Sequence, residues 1–161
     1  MATWPKVLLE RGADYNSCFG CGKDNPIGLK LAFQWDGKTA RAEFTPAAAY
    51  QGWPGLVHGG IMACLLDEGM GYAALFDTGH CLTAKMQIKL KRPAIVGELL
   101  VITSSVKRKT RKLIETTAAV TLKDGTVVAE GTGTHFVVNS VEQEKIARKI
   151  RNPNLEARNT P

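Results

Sequence analysis

The segment LVHGGIMACLLDEGMG, residues 56–71, combines residue types that could do chemistry on a helix. Two adjacent acids, Asp67 and Glu68, stand inside a run that is otherwise apolar. A charged group in an apolar helix costs considerable free energy unless a partner or water compensates it. Therefore either one face of this helix is exposed to water, or the acids have a functional role toward a ligand that binds there.

Asp67 lies on the one stripe of small side chains on the predicted helix, along which a second body could approach closely. The stripe consists of Ala63, Cys64, Gly71 and Ala74. Glu68 lies instead among bulky neighbours, where a salt bridge or an exposed position explains it equally well. Because an aspartate in water is ionised at neutral pH, Asp67 is the candidate general base or nucleophile.

The His-Gly-Gly run at the start of this helix suits the binding of a negatively charged oxygen. The first backbone N–H groups of a helix have no partner within it and point outward at the positive end of the dipole. Gly59 and Gly60 would let a substrate oxygen approach these groups, as in an oxyanion hole. A turn before a helix explains the same glycines, and capping or packing explains His58 taken alone.

The spacing of these groups has a consequence for assembly. Gly59 and Asp67 are eight residues apart, or about 12 Å along a helix axis. Both would have to lie within about 3 Å of one reacting carbon. One chain cannot satisfy this, whereas an antiparallel second copy of the helix could bring its own Asp67 to the Gly59 amide. If both groups serve one reaction, we expect an obligate homodimer with active sites between the subunits.

The elements around this helix are predicted to be strands. Two Asp-Gly pairs, at residues 36–37 and 124–125, are strong hairpin signals. Four Val-, Ile- and Thr-rich segments after residue 82 favour an antiparallel meander. The helix, expected over about residues 59–76, has almost no polar face and must be covered nearly all round. The sequence therefore predicts an α+β fold in which a curved antiparallel sheet of about six strands wraps around one long central helix.

A chain of 161 residues predicts a single compact unit. We expect a lead-in segment over residues 1–26, which includes a short helix over 6–11, the main domain over 27–138 and a tail over 139–161 that is at most a short helix. No stretch resembles a signal peptide or a membrane span. We therefore expect a cytoplasmic protein that has no membrane partner.

The net charge of +6 favours a polyanionic partner. The basic residues concentrate at 85–92 and 107–112, and neither cluster contains the aromatic residues that nucleic-acid-binding modules interleave for base stacking. A small phosphorylated molecule therefore fits the charge better than a nucleic acid, and no nucleic-acid partner is expected.

Four cysteines, including the pair Cys18-x-x-Cys21, are too few for a secreted disulfide framework and are expected to be reduced. The pair raises the alternative of a zinc or redox protein. A structural zinc ion needs four ligands, and the sequence has no second Cys or His pair at such a spacing. We therefore expect no metal and no cofactor.

The run YQGWPGLVHGGIMACLLDEGMGYA, residues 50–73, followed by LTAKMQIKLKRP, residues 82–93, resembles the hotdog-fold thioesterases, in particular their PaaI-like branch. The resemblance rests on the Gln-Gly-x-Pro-Gly-x-x-His-Gly-Gly entry, the acid nine residues after the His, and the Thr-Ala strand that ends in Arg-Pro. The start CFGCGKDNPIGLKLAF is also similar to that of many such proteins. Together the matches cover residues 18 to about 138.

The resemblance implies hydrolysis of an acyl-CoA thioester by dimers or dimers of dimers. On the matching positions, Gly59 would supply the oxyanion N–H, with Gly60 beside it at the substrate, and Asp67 would be the base or nucleophile. His58 would shape the turn or contact the thioester. Thr83 would position water or the acid.

Other residues are expected to bind the substrate. Tyr50 and Trp53 would line an acyl pocket, and Lys89, Arg92 and Arg108 are candidates to hold the phosphates of coenzyme A. A non-catalytic acyl-CoA-binding module or sensor on the same fold is the alternative function, and the retained acid counts against it. The sequence leaves open the acyl group and the choice between general base and nucleophile.

Overall fold

The computed structural model describes residues 16–150, apart from the side chains of residues 147 and 150. The helix expected over residues 6–11 and the end of the tail, residues 151–161, lie outside this part of the chain. In chain order the elements are β1 (Gln34–Trp35), β2 (Thr39–Phe44), a 3-10 helix (Ala48–Tyr50), α1 (Gly59–Thr78), β3 (Cys81–Leu90), β4 (Leu100–Lys109), β5 (Leu113–Leu122), β6 (Val127–Val137) and α2 (Ser140–Ile150).

The six strands form one antiparallel sheet in the order β1-β2-β4-β5-β6-β3. Six strands around one long helix confirm the predicted architecture. The predicted meander is wrong for β3, which pairs with β6 instead of β4. After β3 the chain crosses the start of α1, where the Val57 N–H donates to the Ala94 carbonyl at 2.9 Å. This crossover carries β4 to the other side of the sheet, where it pairs with β2.

Both predicted Asp-Gly turns are present. Gly37 and Gly125 have φ angles of 97° and 89°, a region that side chains with a Cβ rarely adopt. The Asp36 carboxylate accepts a hydrogen bond from the Lys38 N–H at 2.8 Å, which closes the first turn. Local residue chemistry therefore determines these two hairpins.

One face of α1 packs on the sheet. The buried residues of the helix are Met62, Leu65, Leu66, Gly69, Met70, Ala73 and Ala74. The closest approach is at Gly69, where an added Cβ would lie 2.9 Å from Ile102 Cγ2. Ser104 Oγ also donates to the Gly69 carbonyl at 2.5 Å. A glycine at this position lets the helix lie directly on β4.

A second face of α1 is covered by the chain that leads into β1. Phe33 stacks on Tyr72 with ring centroids 4.4 Å apart, and Trp35 stacks on Phe76 at 5.5 Å. The hairpin signal at residues 36–37 predicts a strand on each side of the turn, over residues 28–35 and 38–45, but in the first of these only Gln34–Trp35 pairs with β2. The side chains of this segment pack across the helix, which takes most of the segment away from the sheet.

The third face of α1 is the predicted stripe of small side chains. Asp67 on this face is half-buried. A Cβ added at Gly71 would meet nothing within 4 Å in the described part of the chain. The helix is therefore covered on two sides. The stripe is only partly buried at Ala63, Cys64, Asp67 and Gly71, whereas its last member, Ala74, is fully buried.

The tail begins with a helix of 11 residues, α2. Asn139 and Glu142 form a reciprocal cap, in which Asn139 Oδ1 accepts the Glu142 N–H at 2.9 Å and Glu142 Oε2 accepts the Asn139 N–H at 3.0 Å. Among the described residues, neither helix is both long and apolar enough to cross a membrane.

Candidate active site

The start of α1 presents one backbone N–H group without an acceptor. His58 is the N-cap, and its Nδ1 accepts the Gly60 N–H at 2.9 Å. The N–H groups of Ile61 and Met62 donate to the His58 carbonyl at 2.9 and 3.2 Å. Within residues 16–150, only the Gly59 N–H of this first turn has no hydrogen-bond acceptor. The cap therefore leaves one donor available at the positive end of the helix dipole.

Asp67 is held by a side chain from the neighbouring strand. Thr83 Oγ1 on β3 donates a hydrogen bond to Asp67 Oδ1 at 2.9 Å. Thr83 pairs with His135 and Lys85 pairs with Thr134, so Ala84 is the extra residue of a β-bulge. The bulge turns Thr83 toward the helix, while Lys85 faces the other side of the sheet.

Two buried side chains extend the hydrogen bonding of Thr83 from β3 into the interior of the sheet. His135 Nδ1 on β6 lies 3.3 Å from Thr83 Oγ1, and its Nε2 lies 2.8 Å from Thr116 Oγ1 on β5. Both His135 and Thr116 are 1% exposed. A line of polar contacts therefore runs from the core of the sheet to Asp67.

The chemistry of each group fixes the direction of these hydrogen bonds. The Asp67 carboxylate only accepts, so the Thr83 hydroxyl hydrogen points at it, and Thr83 Oγ1 must accept from His135 Nδ1–H. Nε2 of the neutral ring then accepts the hydroxyl hydrogen of Thr116. Burial lowers the pKa of His135, against a smaller opposing effect of Asp67, which favours the neutral ring. Every donor in the line thus points toward the carboxylate.

Sequence reasoning missed His135 and Thr116. A usable signal was present on β6, where Gly131, Gly133 and His135 are the alternate residues that face the helix. A lone ionisable side chain among inward glycines indicates a buried polar contact. Its partner Thr83 could not be identified in this way, because the bulge at Ala84 changes which side Thr83 faces.

The predicted acyl-pocket residues have different surroundings. The Tyr50 hydroxyl donates to the Gly28 carbonyl at 2.9 Å, and its own carbonyl accepts the His58 N–H. Tyr50 therefore ties the lead-in loop to the helix start. Trp53 is 80% exposed on the loop before α1, and Leu90, whose Cδ1 would lie 3.2 Å from a Cβ added at Gly59, is 55% exposed. The exposed Leu90 side chain therefore provides an apolar surface beside Gly59.

The three predicted phosphate-binding residues do not come together within one chain. Arg92 is exposed just beyond the end of β3. Lys89 lies opposite Glu130 in the register of β3 with β6, and its side chain is on the side of the sheet that faces away from α1. Arg108 is exposed at the other end of the helix, where neighbouring Lys109 forms an ion pair with Asp77 at 2.8 Å.

A broad depression of about 680 Å³ lies on this outer side of the sheet. Its lining includes Gln87, Lys89, Glu130 and Thr132. The sheet separates it from Asp67, so it is not where the carboxylate could act within one chain.

Cys64 also lies on the accessible stripe, but it is a poor nucleophile. Burial raises the pKa of its thiol to about 12, and the nearby carboxylates of Glu68 and Asp67 also raise it. The thiol is therefore protonated at neutral pH. Asp67 is therefore the remaining candidate for a reactive group on this stripe.

Comparison with known proteins gives consistent similarities. The profile of the Thioesterase superfamily matches residues 54–129, a range that includes Gly59, Asp67 and Thr83 and ends before His135. Acyl-coenzyme A thioesterase THEM4 from Bos taurus is 30% identical over 132 residues, which are 80% of this chain and 54% of THEM4. The chain therefore spans about half the length of this relative.

Solved structures show the same architecture. The crystal structure of a thioesterase superfamily protein matches with a TM-score of 0.73 and 25% identity, covering 81% of this chain and 68% of that one. A hypothetical thioesterase from Streptococcus pneumoniae, crystallised with coenzyme A, matches with a TM-score of 0.60 and 19% identity, covering 63% of this chain and 82% of that one.

Proposed function

We propose that this chain, which matches the Thioesterase superfamily profile over residues 54–129 and shares the fold of a solved thioesterase superfamily protein, hydrolyses an acyl-CoA thioester to a carboxylic acid and coenzyme A. One observation carries the proposal. The carboxylate of Asp67 lies on the accessible face of α1 and is oriented by the Thr83 hydroxyl at 2.9 Å. A fixed carboxylate at an accessible surface can act on a bound ester.

The reaction has two routes that use the same residues. As a general base, Asp67 takes a proton from water while the water oxygen bonds to the thioester carbonyl carbon. As a nucleophile, Asp67 bonds to that carbon itself, and water then hydrolyses the anhydride. In both routes the C–S bond breaks and the coenzyme A sulfur leaves with the electron pair and takes up a proton. Because Thr83 engages Oδ1, we assign Oδ2 to the reaction.

The oxyanion formed at the carbonyl needs a donor, and the Gly59 N–H is the group that fits. Within one chain this donor is about 12 Å from Asp67 along α1. We propose that a second copy packs its α1 antiparallel on the stripe of small side chains. Gly59 of one subunit and Asp67 of the other then form one site, and symmetry gives two sites per dimer.

The substrate would lie along the edge of this interface. The exposed Leu90 side chain beside Gly59, and the exposed Trp53 on the loop before α1, suit contact with an acyl chain or the arm of coenzyme A. Arg92 at the same end is the first candidate for a phosphate contact. The structure with coenzyme A from Streptococcus pneumoniae supports this class of ligand.

A panel of acyl-CoAs, assayed by thiol release with the full chain, tests the proposal. We expect Asp67→Asn to lower kcat by about 10² to 10⁴, the usual contribution of a general base. Asp77→Asn is the matched control, because Asp77 lies on the same helix but forms an ion pair with Lys109. It should leave kcat within about twofold, in line with the small effect of an exposed ion pair.

Two results would contradict the proposal. Full turnover by Asp67→Asn would show that another group does the chemistry. Tight binding of acyl-CoA with no turnover of any member of the panel would favour a non-catalytic binding module instead.

A further inference from the structure

The lead-in loop and α1 bring three metal-ligating side chains together. Cys18 Sγ, Cys21 Sγ and a carboxylate oxygen of Glu68 all lie within 4.8 Å of one another, and all three residues are half-buried. Cys18 Sγ lies 3.7 Å from Glu68 Oε1. The cysteines and the glutamate are far apart in sequence, so the tertiary fold makes this cluster.

The backbone holds the loop in place against the helix. The Gly22 N–H donates to the Cys18 carbonyl at 2.9 Å, which folds the Cys-x-x-Cys segment into a compact turn. A Cβ added at Gly20 would lie 2.2 Å from Glu68 Cδ. With Glu68 in its observed position, the carboxylate therefore occupies the space that a side chain at residue 20 would need. The Leu31 N–H then donates to the Gly20 carbonyl at 2.9 Å and fixes the loop to the covering segment.

We propose that Cys18, Cys21 and Glu68 bind one zinc ion, with a water molecule as its fourth ligand. Zinc accepts thiolate and carboxylate ligands in tetrahedral geometry, at about 2.3 Å to sulfur and about 2.0 Å to oxygen. These lengths place a ligating sulfur and oxygen about 3.5 Å apart, close to the 3.7 Å between Cys18 Sγ and Glu68 Oε1. Two thiolates select zinc over magnesium or calcium. Binding releases the two thiol protons to solvent.

From the sequence we expected no zinc site, because no second Cys or His pair accompanies Cys18 and Cys21. The third ligand comes instead from an acid in the middle of α1, next in sequence to Asp67. The ion would fasten the lead-in loop to the helix at the turn that carries Asp67. This role is independent of thioester hydrolysis.

Metal analysis and cobalt titration of the full chain test the site. We expect about one zinc per chain after purification without a metal-affinity step. The chelator-treated chain should bind Co²⁺ with a thiolate-to-metal charge-transfer band in the ultraviolet and the visible bands of a four-coordinate ion. Cys21→Ser should abolish the charge-transfer band or weaken it strongly. Glu68→Gln should lower zinc affinity by more than the roughly 10- to 100-fold that loss of an outer-sphere partner costs.

Cys81→Ser is the control, since Cys81 is a half-buried cysteine at the start of β3 that lies outside this cluster. It should keep the zinc and the cobalt spectrum. A wild-type chain that shows no charge-transfer band with Co²⁺, or that joins Cys18 to Cys21 in a disulfide, would overturn the proposal. Unchanged zinc affinity in Glu68→Gln would also overturn it. The cobalt titration of the wild-type chain does not depend on whether a variant folds.

Discussion

Thr83 Oγ1 lies 2.9 Å from Asp67 Oδ1, and this contact joins the edge strand of the sheet to the central helix at the proposed reactive carboxylate. The β-bulge at Ala84 makes the contact geometrically possible. His135 supports Thr83 from below at 3.3 Å. The carboxylate is thus oriented by a residue whose own position depends on the buried interior.

Replacing Thr83 tests the value of this contact for catalysis. Thr83→Val keeps the shape of the side chain but removes the donor, and a hydrogen bond to a charged group contributes about 1.5–3 kcal/mol. We expect kcat to fall by about 10- to 100-fold, while KM for the acyl-CoA changes little. Thr83→Ser, which keeps the hydroxyl, should retain most of the activity. Equal rates for the valine and serine variants would show that the hydroxyl does not orient the acid.

His135 should give the protein a specific dependence of stability on pH. Because burial lowers its pKa below the ordinary value of 6.5, the unfolded chain binds a proton more readily than the folded chain as the pH falls below that value. The free energy of unfolding therefore decreases as the pH falls from about 6.5 toward the lowered pKa of the folded state. Above about pH 6.5 the ring is neutral in both states and has no such effect.

The variant His135→Gln removes this titration but keeps a polar side chain of similar reach. Urea denaturation at about pH 7.5, 6.5 and 5.5 should show a steeper loss of stability in the wild type than in the variant. The variant should be less stable than the wild type at the highest pH, because Thr83 and Thr116 lose the ring that joins them. Parallel pH profiles for the two proteins would rule out a buried neutral His135.

The cap at the start of α1 makes a prediction about stability alone. His58 Nδ1 accepts the Gly60 N–H at 2.9 Å, and loss of an N-cap acceptor typically costs about 0.5–2 kcal/mol. We expect His58→Ala to lower the free energy of unfolding by about 1 kcal/mol in urea denaturation. His58→Asn, which has a side-chain acceptor that suits an N-cap, should recover most of this loss. If alanine and asparagine were equally destabilising, the histidine would contribute through packing instead.

The accessible stripe of α1 makes a prediction about assembly. A Cβ added at Gly71 would meet nothing within 4 Å in the described part of its own chain. Gly71→Leu should therefore fold normally as a single chain, yet clash with a second helix packed on the stripe. We expect sedimentation to show a shift from dimer to monomer, and thiol release to fall with it. Ala48→Leu, on the exposed 3-10 helix, serves as a control of equal bulk. Dimers that persist unchanged in Gly71→Leu would place the interface elsewhere.

The sequence predicted those features that local chemistry determines. Gly37 and Gly125 adopt backbone angles that favour glycine, so the Asp-Gly pairs identify their turns without knowledge of the fold. The apolar run of residues 59–76 likewise predicts α1, and the predicted stripe of small side chains is partly accessible around Gly71 but buried at Ala74.

The missed features all depend on contacts between distant residues. The pairing of β3 with β6 follows from the crossover above the helix start, which no local pattern encodes. Thr83 reaches Asp67 because of a bulge at Ala84, an alanine that carries no sequence signal for one. Glu68 meets Cys18 only after the lead-in loop folds over the helix. Residue spacing alone could therefore identify Thr83 and Glu68 as candidates, but it could not identify the residues that they contact.

Mixing two inactive variants tests the central claim that Gly59 and Asp67 of different subunits form one site. Gly59→Val blocks the oxyanion donor, and Asp67→Asn removes the acid. After subunit exchange, each mixed dimer would contain one site with both groups intact, and random mixing should restore about a quarter of the wild-type rate of thiol release. A chain that carries both substitutions, mixed with Asp67→Asn, should restore nothing. If exchange is complete and the two single variants together remain inactive, Gly59 and Asp67 do not act across a subunit interface.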